Sequence, residues 1–167
     1  AVIPVDGAET AAAELASYVA SVVVDGGAGS GATASDRAAI VAAALDGVDH
    51  VLIPASPDGR DLAGALSALT GWGVLANGNG ARWTDDGPVV VQSAFGGKLV
   101  TESAVTSGHG IITIRPNAVT AEPLANPGAV DIRRSSPVAA TAPVTTVDRI
   151  VAAGAAVSID DARIIVS

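Results

Sequence analysis

Gly27-Ala28-Gly29-Ser30-Gly31-Ala32 has the strongest claim to chemistry in this sequence, because it stands between an apolar run and a helix-forming segment. Its spacing fits a G-x-G-x-x-A fingerprint, in which backbone N–H groups and a helix amino terminus receive a pyrophosphate. Gly27, Gly29 and Ala32 would then be the cofactor-binding positions. Two features oppose that use. Asp25 puts negative charge at the mouth of the loop, and the next helix is expected only from about Ser35, several residues too late for a phosphate. A flexible surface loop is the favoured reading. The same residues match the G-x-S-x-G elbow of a serine hydrolase around Ser30, but a triad also needs a histidine placed by the fold. No Gly-Lys-Ser/Thr occurs, so a P-loop is excluded.

The remaining chemically able residues are scattered. His50 and His109 have no ligand spacing, and cysteine is absent, which removes disulfides, thiolate chemistry and a zinc site together. Asp58-Gly59-Arg60-Asp61 lies between a strand and its helix, the end of an open α/β sheet where ligands bind. Arg60 could face an anion there. The plainer reading has Asp58 capping the helix and Arg60 paired with an acidic neighbour. Lys98, Glu102 and Arg115 fit the charges that keep an exposed strand from pairing with another chain. No catalytic residue and no metal ligand is assigned.

These residues must be positioned by alternating elements. Ala1–Val5 reads as a strand, Thr10–Ala20 as an Ala-rich helix and Val22–Val24 as a second strand. Ser35 is expected to cap a helix over Asp36–Leu45, with Asp36 at its positive end. His50–Pro54 is a continuous apolar run of the kind buried in a parallel sheet, and Asp61–Leu69 carries Leu62, Leu66 and Leu69 on one stripe. Three strand–helix repeats argue parallel βαβ units with right-handed crossovers. The rhythm then changes. Trp72–Asp86 looks like a loop, with Asn77-Gly78-Asn79-Gly80 as a turn cluster. Val89–Ser93, Lys98–Thr106 and Ile111–Arg115 read as three strands, forming an antiparallel extension of the parallel sheet. Ala121–Val144, with four prolines, is expected to be extended edge or connecting chain. Val144–Val157 fits either a strand or a short helix, Ser158–Ala162 a linker, and Arg163–Val166 the start of a new strand.

Composition bounds the function. Hydrophobic residues make up 49 % of 167 positions but aromatics only 2 %, so Val, Ile, Leu and Ala must build the core. Small side chains bury less area each, at about 25 cal/mol per Å², so modest intrinsic stability, or stabilisation by a partner, is expected. A net charge of −8 leaves no basic patch for nucleic acid. No apolar run reaches the roughly 18 residues of a spanning helix, so membrane insertion is not expected. No signal peptide is expected before the first strand, and a soluble cytoplasmic protein is the default expectation.

The segment VVVQSAFGGKLVTESAV, followed by IITIRPNAVTAEP, resembles the amino-terminal domain of the electron transfer flavoprotein α-subunit family. The match rests on Phe95-Gly96-Gly97, on Thr113-Ile114-Arg115-Pro116-Asn117-Ala118-Val119, and upstream on Val51–Ala63 with its Gly59-Arg60-Asp61-Leu62-Ala63. Ala162–Ser167 is similar to the strand that leads into the family's next domain. The resemblance implies a Rossmann-like, adenine-nucleotide-hydrolase-like α/β fold over residues 1–157. The family's first strand and helix would then be missing before Ala1. Residues 158–167 would lead into a carboxy-terminal FAD domain lying beyond Ser167. It further implies FAD in the complete protein, bound mainly outside this segment, and AMP in a partner β subunit. The implied partners are that β subunit and acyl-CoA-type dehydrogenases, from which electrons pass to the respiratory chain. On this reading the chain is an electron-transfer scaffold and not an enzyme. A stand-alone nucleotide-binding domain using Gly27–Ala32 is the alternative.

Overall fold

The computed structural model describes residues 1–4, 9–24, 32–125, 131–135, 144, 147–148, 150, 164 and 166. The elements are β1 (Val2–Ile3), α1 (Glu9–Leu15), β2 (Ser21–Val24), α2 (Ala34–Ala43), β3 (His50–Pro54) and α3 (Pro57–Thr70). They continue with β4 (Gly73–Thr84), β5 (Gly87–Ala94), a 3-10 turn (Phe95–Gly97), β6 (Leu99–Ala104), β7 (Gly110–Ile114) and β8 (Asp131–Arg134). The fold is α/β, with mostly parallel strands and an antiparallel extension, as the sequence leads one to expect.

The strands form two sheets. One has the order β1-β2-β8 and is parallel throughout. The other has the order β3-β7-β4-β5-β6, with β3, β7 and β4 parallel and the β5 and β6 pairings antiparallel. Strand alternation sends Val2 and Ile3 to opposite faces. Val2 joins a cluster in which α2 and α3 pack Ala38, Val41, Ala63 and Leu66 on Ile53 and Ile111. Ile3 joins the other cluster, where Ala12 of α1 packs on Val22 and Val24. Helices therefore cover both faces, α1 on one and α2 with α3 on the other.

Capping explains where the helices begin. Thr33, not Ser35, caps α2: its hydroxyl accepts the Asp36 N–H, and the Asp36 carboxylate accepts the Thr33 N–H at 2.8 Å. The helix so begins at Ala34. Helix α3 starts at Pro57, four residues before the expected Asp61, because Ser56 accepts the Gly59 N–H and proline suits the first turn. It ends on Gly71, whose φ of 74° closes the last turn. Helix α1 stops at Leu15, short of the expected Ala20, although Val19 still packs in the α1 cluster.

Two expectations are corrected in the second sheet. Trp72–Asp86 is not a loop: Gly73–Thr84 is a twelve-residue strand. The Asn-Gly pair lies at a bulge, not a turn. Asn77 takes φ 67°, its N–H donates to Thr113 Oγ1 at 2.8 Å, and a side chain at Gly78 would press on Val90 and Ile114. Beyond the bulge β4 pairs with β5 alone, and the hairpin curls back until Trp83 meets His50 edge-on, 6.4 Å between ring centres. The run Ile111–Ile114 does not belong to the antiparallel extension. As β7 it is the centre of the parallel part, between β3 and β4, and Ile111 and Ile112 are both fully buried. In the proline-rich Ala121–Val144 segment, β8 forms an edge beside β2, which agrees with the expected edge structure. The expectations for Val144–Val157 and Arg163–Val166 fall almost wholly outside the described residues.

Candidate functional site

In a parallel sheet the natural place for a ligand is the rim at the carboxyl ends of the strands. Here that rim is formed by the ends of β3 and β7, the amino end of α3 and the bulge of β4. It contains Asp58–Asp61 and the start of Thr113–Val119, the segments that the sequence singles out. The Ala55 N–H donates to the Ile114 carbonyl at 2.7 Å, and the Arg115 N–H to the Gly78 carbonyl at 2.9 Å. Backbone bonds thus lock the two segments to β7 and to the bulge.

Side chains complete the same pattern. Asp58 does not cap α3; Ser56 does, and Asp58 instead takes Arg37 of α2 at 3.1 Å. Arg60 is exposed and has no ion-pair partner among the described residues. Arg115 reaches only to the Ser93 carbonyl, at 3.5 Å. Gly59 is glycine for a steric reason: a Cβ there would overlap the Pro54 carbonyl oxygen. That glycine lets α3 lie directly on the end of β3.

The other candidates are also occupied by structure. Glu102 pairs with Arg82 at 2.9 Å across the hairpin extension. His109 stacks on Trp72 with 4.9 Å between ring centres, and its Nδ1 stands 3.6 Å from Asp49. Lys98 lies exposed between the 3-10 turn and β6. Among the described residues no group of three His, Asp or Glu side chains could hold a metal ion.

Gly27 and Gly29 lie outside the described residues, as does Ser30. Ala32 is described and stands directly before the Thr33 cap. The helix end that would take a pyrophosphate is filled by the chain's own carboxylate. Hydrogen bonds from the Thr33 backbone and then its hydroxyl hold Asp36 below the ordinary aspartate value of 3.8, so it is negative at neutral pH. The amino end of α3 is likewise closed by Ser56. Thr33 at α2 and Ser56 at α3 each take one first-turn N–H of their helix, from Asp36 and Gly59.

Sequence reasoning missed the Arg37–Asp58 link, for which no local signal exists, since it joins two helices 21 positions apart. It also missed both caps. Their signals were present: Thr33 stands three residues before Asp36, and Ser56 directly before Pro57.

Among the described residues, the strand-end rim of this largely parallel α/β domain is held by backbone hydrogen bonds and helix caps. Comparison with known proteins gives the domain a family. The profile of the electron transfer flavoprotein domain matches residues 2–152, and the chain belongs to that family. It is 41 % identical over 78 residues to electron transfer flavoprotein subunit alpha of Mycobacterium tuberculosis, in two strains. It is 36 % identical over 78 residues to the protein of that name from Mycobacterium leprae. Each match spans 47 % of this chain and 24 % of the relative, so the matched stretch is about a quarter of the relatives' length.

Proposed function

We propose that this chain is the amino-terminal, partner-binding part of an electron transfer flavoprotein α subunit, with the flavin chemistry carried outside residues 1–167. The family match over residues 2–152 carries this reading. The rim is compatible with it, because the amino end of α2 carries the chain's own Asp36 carboxylate. Strand β6 supports it, being solvent-exposed at five of its six positions, beside Phe95 at 79 % exposure. Apolar residues on an exposed edge mark an interaction surface.

The proposed partner is the β subunit, itself the holder of AMP. The complete protein would accept electrons on FAD from acyl-CoA-type dehydrogenases and pass them towards the respiratory chain. A cytoplasmic site goes with this role; among the described residues no helix is long and apolar enough to cross a membrane. The test is co-expression of residues 1–167 with the β subunit. A complex that loses affinity about tenfold or more with Val100→Glu on β6 is expected, since a charge buried at an interface core is unfavourable. Unchanged affinity in Val100→Glu and Phe95→Ser would place the partner elsewhere.

A further inference from the structure

Several basic side chains of this domain are matched by its own acids: Arg37 by Asp58, Arg82 by Glu102 and Arg133 by Asp131. Among the described residues Arg60, Lys98 and Arg115 have no such match, and two of them, Lys98 and Arg115, belong to one corner of the second sheet. Arg115 follows the end of β7, where its N–H is held by the Gly78 carbonyl. Its Nη2 donates to the Ser93 carbonyl at 3.5 Å, one residue before the end of β5. That last residue, Ala94, is paired with Leu99, the first residue of β6, and Lys98 directly precedes it. The acid of β6, Glu102, is already held by Arg82. A chain of net charge −8 thus leaves two cations unanswered at one exposed corner.

The same corner carries a strained aromatic. Phe95, the chain's single phenylalanine, takes φ 51°, and Gly96 and Gly97 follow at 66° and 86°. For a bulky side chain a positive φ is an outlier, and such strain gathers at functional positions. Within the domain the ring gains no burial from it, being almost wholly exposed. Leu99 and Val100 are exposed beside it, on a strand whose outer edge has no neighbour among the described residues. An apolar centre with charges at its border is the plan of a protein interface. The charges also select the partner. Two cations on an acidic chain are too few for nucleic acid or for an anionic bilayer. A carboxylate suits both, since the arginine fork can take its two oxygens together and lysine meets it as a compact charge.

We propose that the face of the β subunit covering Phe95, Leu99 and Val100 is acidic, with Asp or Glu carboxylates that pair with Lys98 and Arg115. This deepens the proposed function and rests on it for the identity of the partner. The apolar side chains then exclude water, while the two cations set the orientation of docking and the rate of encounter.

Binding of the β subunit to the natural, full-length polypeptide, measured as a function of salt, tests it. Wild-type affinity should fall about fivefold or more between about 0.05 and about 0.5 M sodium chloride, because salt screens exposed charges. Lys98→Glu and Arg115→Glu should each weaken binding about fivefold or more at the lower salt and flatten the salt dependence. Arg133→Glu, an equal change of net charge on β8 in the other sheet, should change affinity less than about twofold. Where a reversal fails to fold, Lys98→Met or Arg115→Met takes its place, with a loss of about threefold or more expected. Smaller losses at either corner residue, while Val100→Glu still weakens binding, would overturn the acidic face and leave the docking reading intact. If Val100→Glu and Phe95→Ser are also without effect, the docking reading falls and the proposal falls with it. Arg133→Glu weakening binding as much as the corner variants would overturn the proposal by tracing the effect to net charge.

Discussion

The two hydrophobic clusters on opposite faces of the parallel strands are built unequally. On one face α2 and α3, ten and fourteen residues long and both capped by side chains, enclose Ile53, Leu66 and Ile111. On the other, α1 has seven residues and closes on Ala12, Val22 and Val24. A helix that short is marginal by itself and depends on packing. The difference shows where the domain is self-sufficient and where it leans on neighbours. The α2–α3 side has its own core and rigid joints. The α1 side has a small core and an open cleft at its border.

The largest effect expected is at the joint between α3 and β3. Gly59→Ala forces α3 off the end of β3, because the new Cβ overlaps a backbone oxygen that cannot rotate away. A loss of about 4 kcal/mol or more, read from urea unfolding, is expected. If Gly59→Ala costs under about 1 kcal/mol, α3 does not rest on β3 as described.

Paired core truncations compare the clusters directly. Leu66→Ala, at a fully buried position, should cost about 2–5 kcal/mol. Val22→Ala, equally buried, should cost about 1–3 kcal/mol, as fewer atoms leave. If Val22→Ala is the worse of the two, the α1 side is the main core and the comparison is reversed.

The cap of α2 gives a smaller, pH-dependent effect. Thr33→Ala should cost about 1 kcal/mol at neutral pH. The Asp36 pKa is depressed in the folded state, so its stabilisation is present above the unfolded value of 3.8 and is lost as pH falls through the folded value. The gap between wild type and Thr33→Ala should therefore narrow in acid. A gap that widens below pH 3.8 would show that the carboxylate is not what the cap holds. Smallest of all, Gly64→Ala in α3 meets no atom within 4 Å and should gain roughly 0.5–1 kcal/mol. With Gly59→Ala it separates close contact from helix propensity within one helix.

What could be read from sequence follows from the range of each interaction. Strand β3 is recovered at its true limits, His50–Pro54, from its unbroken apolar run, but not as the buried strand that run suggests: it is the edge of its sheet and only Ile53 is buried. The β5 and β6 segments show in their β-branched alternation. Strand β4 looks like a loop in the sequence because Asn77-Gly78-Asn79-Gly80 carries local turn signals. Its strand pairing comes from β5 and β7, and its glycine serves a close approach to Val90 and Ile114. The central place of β7 was equally hidden, since sequential order does not state spatial order. In the candidate site, Asp58–Asp61 and Thr113–Val119 stand out in the sequence as segments. Their use was not legible, because Gly59 answers to Pro54 and Asp58 to Arg37, partners set by the tertiary fold.

The central claim is that residues 1–167 bind a protein partner and leave the flavin to another part of the molecule. The most direct measurement is the visible absorbance of the purified complex between residues 1–167 and the β subunit. The account predicts a stable complex without flavin absorbance. FAD retained in one-to-one ratio with residues 1–167 would contradict it.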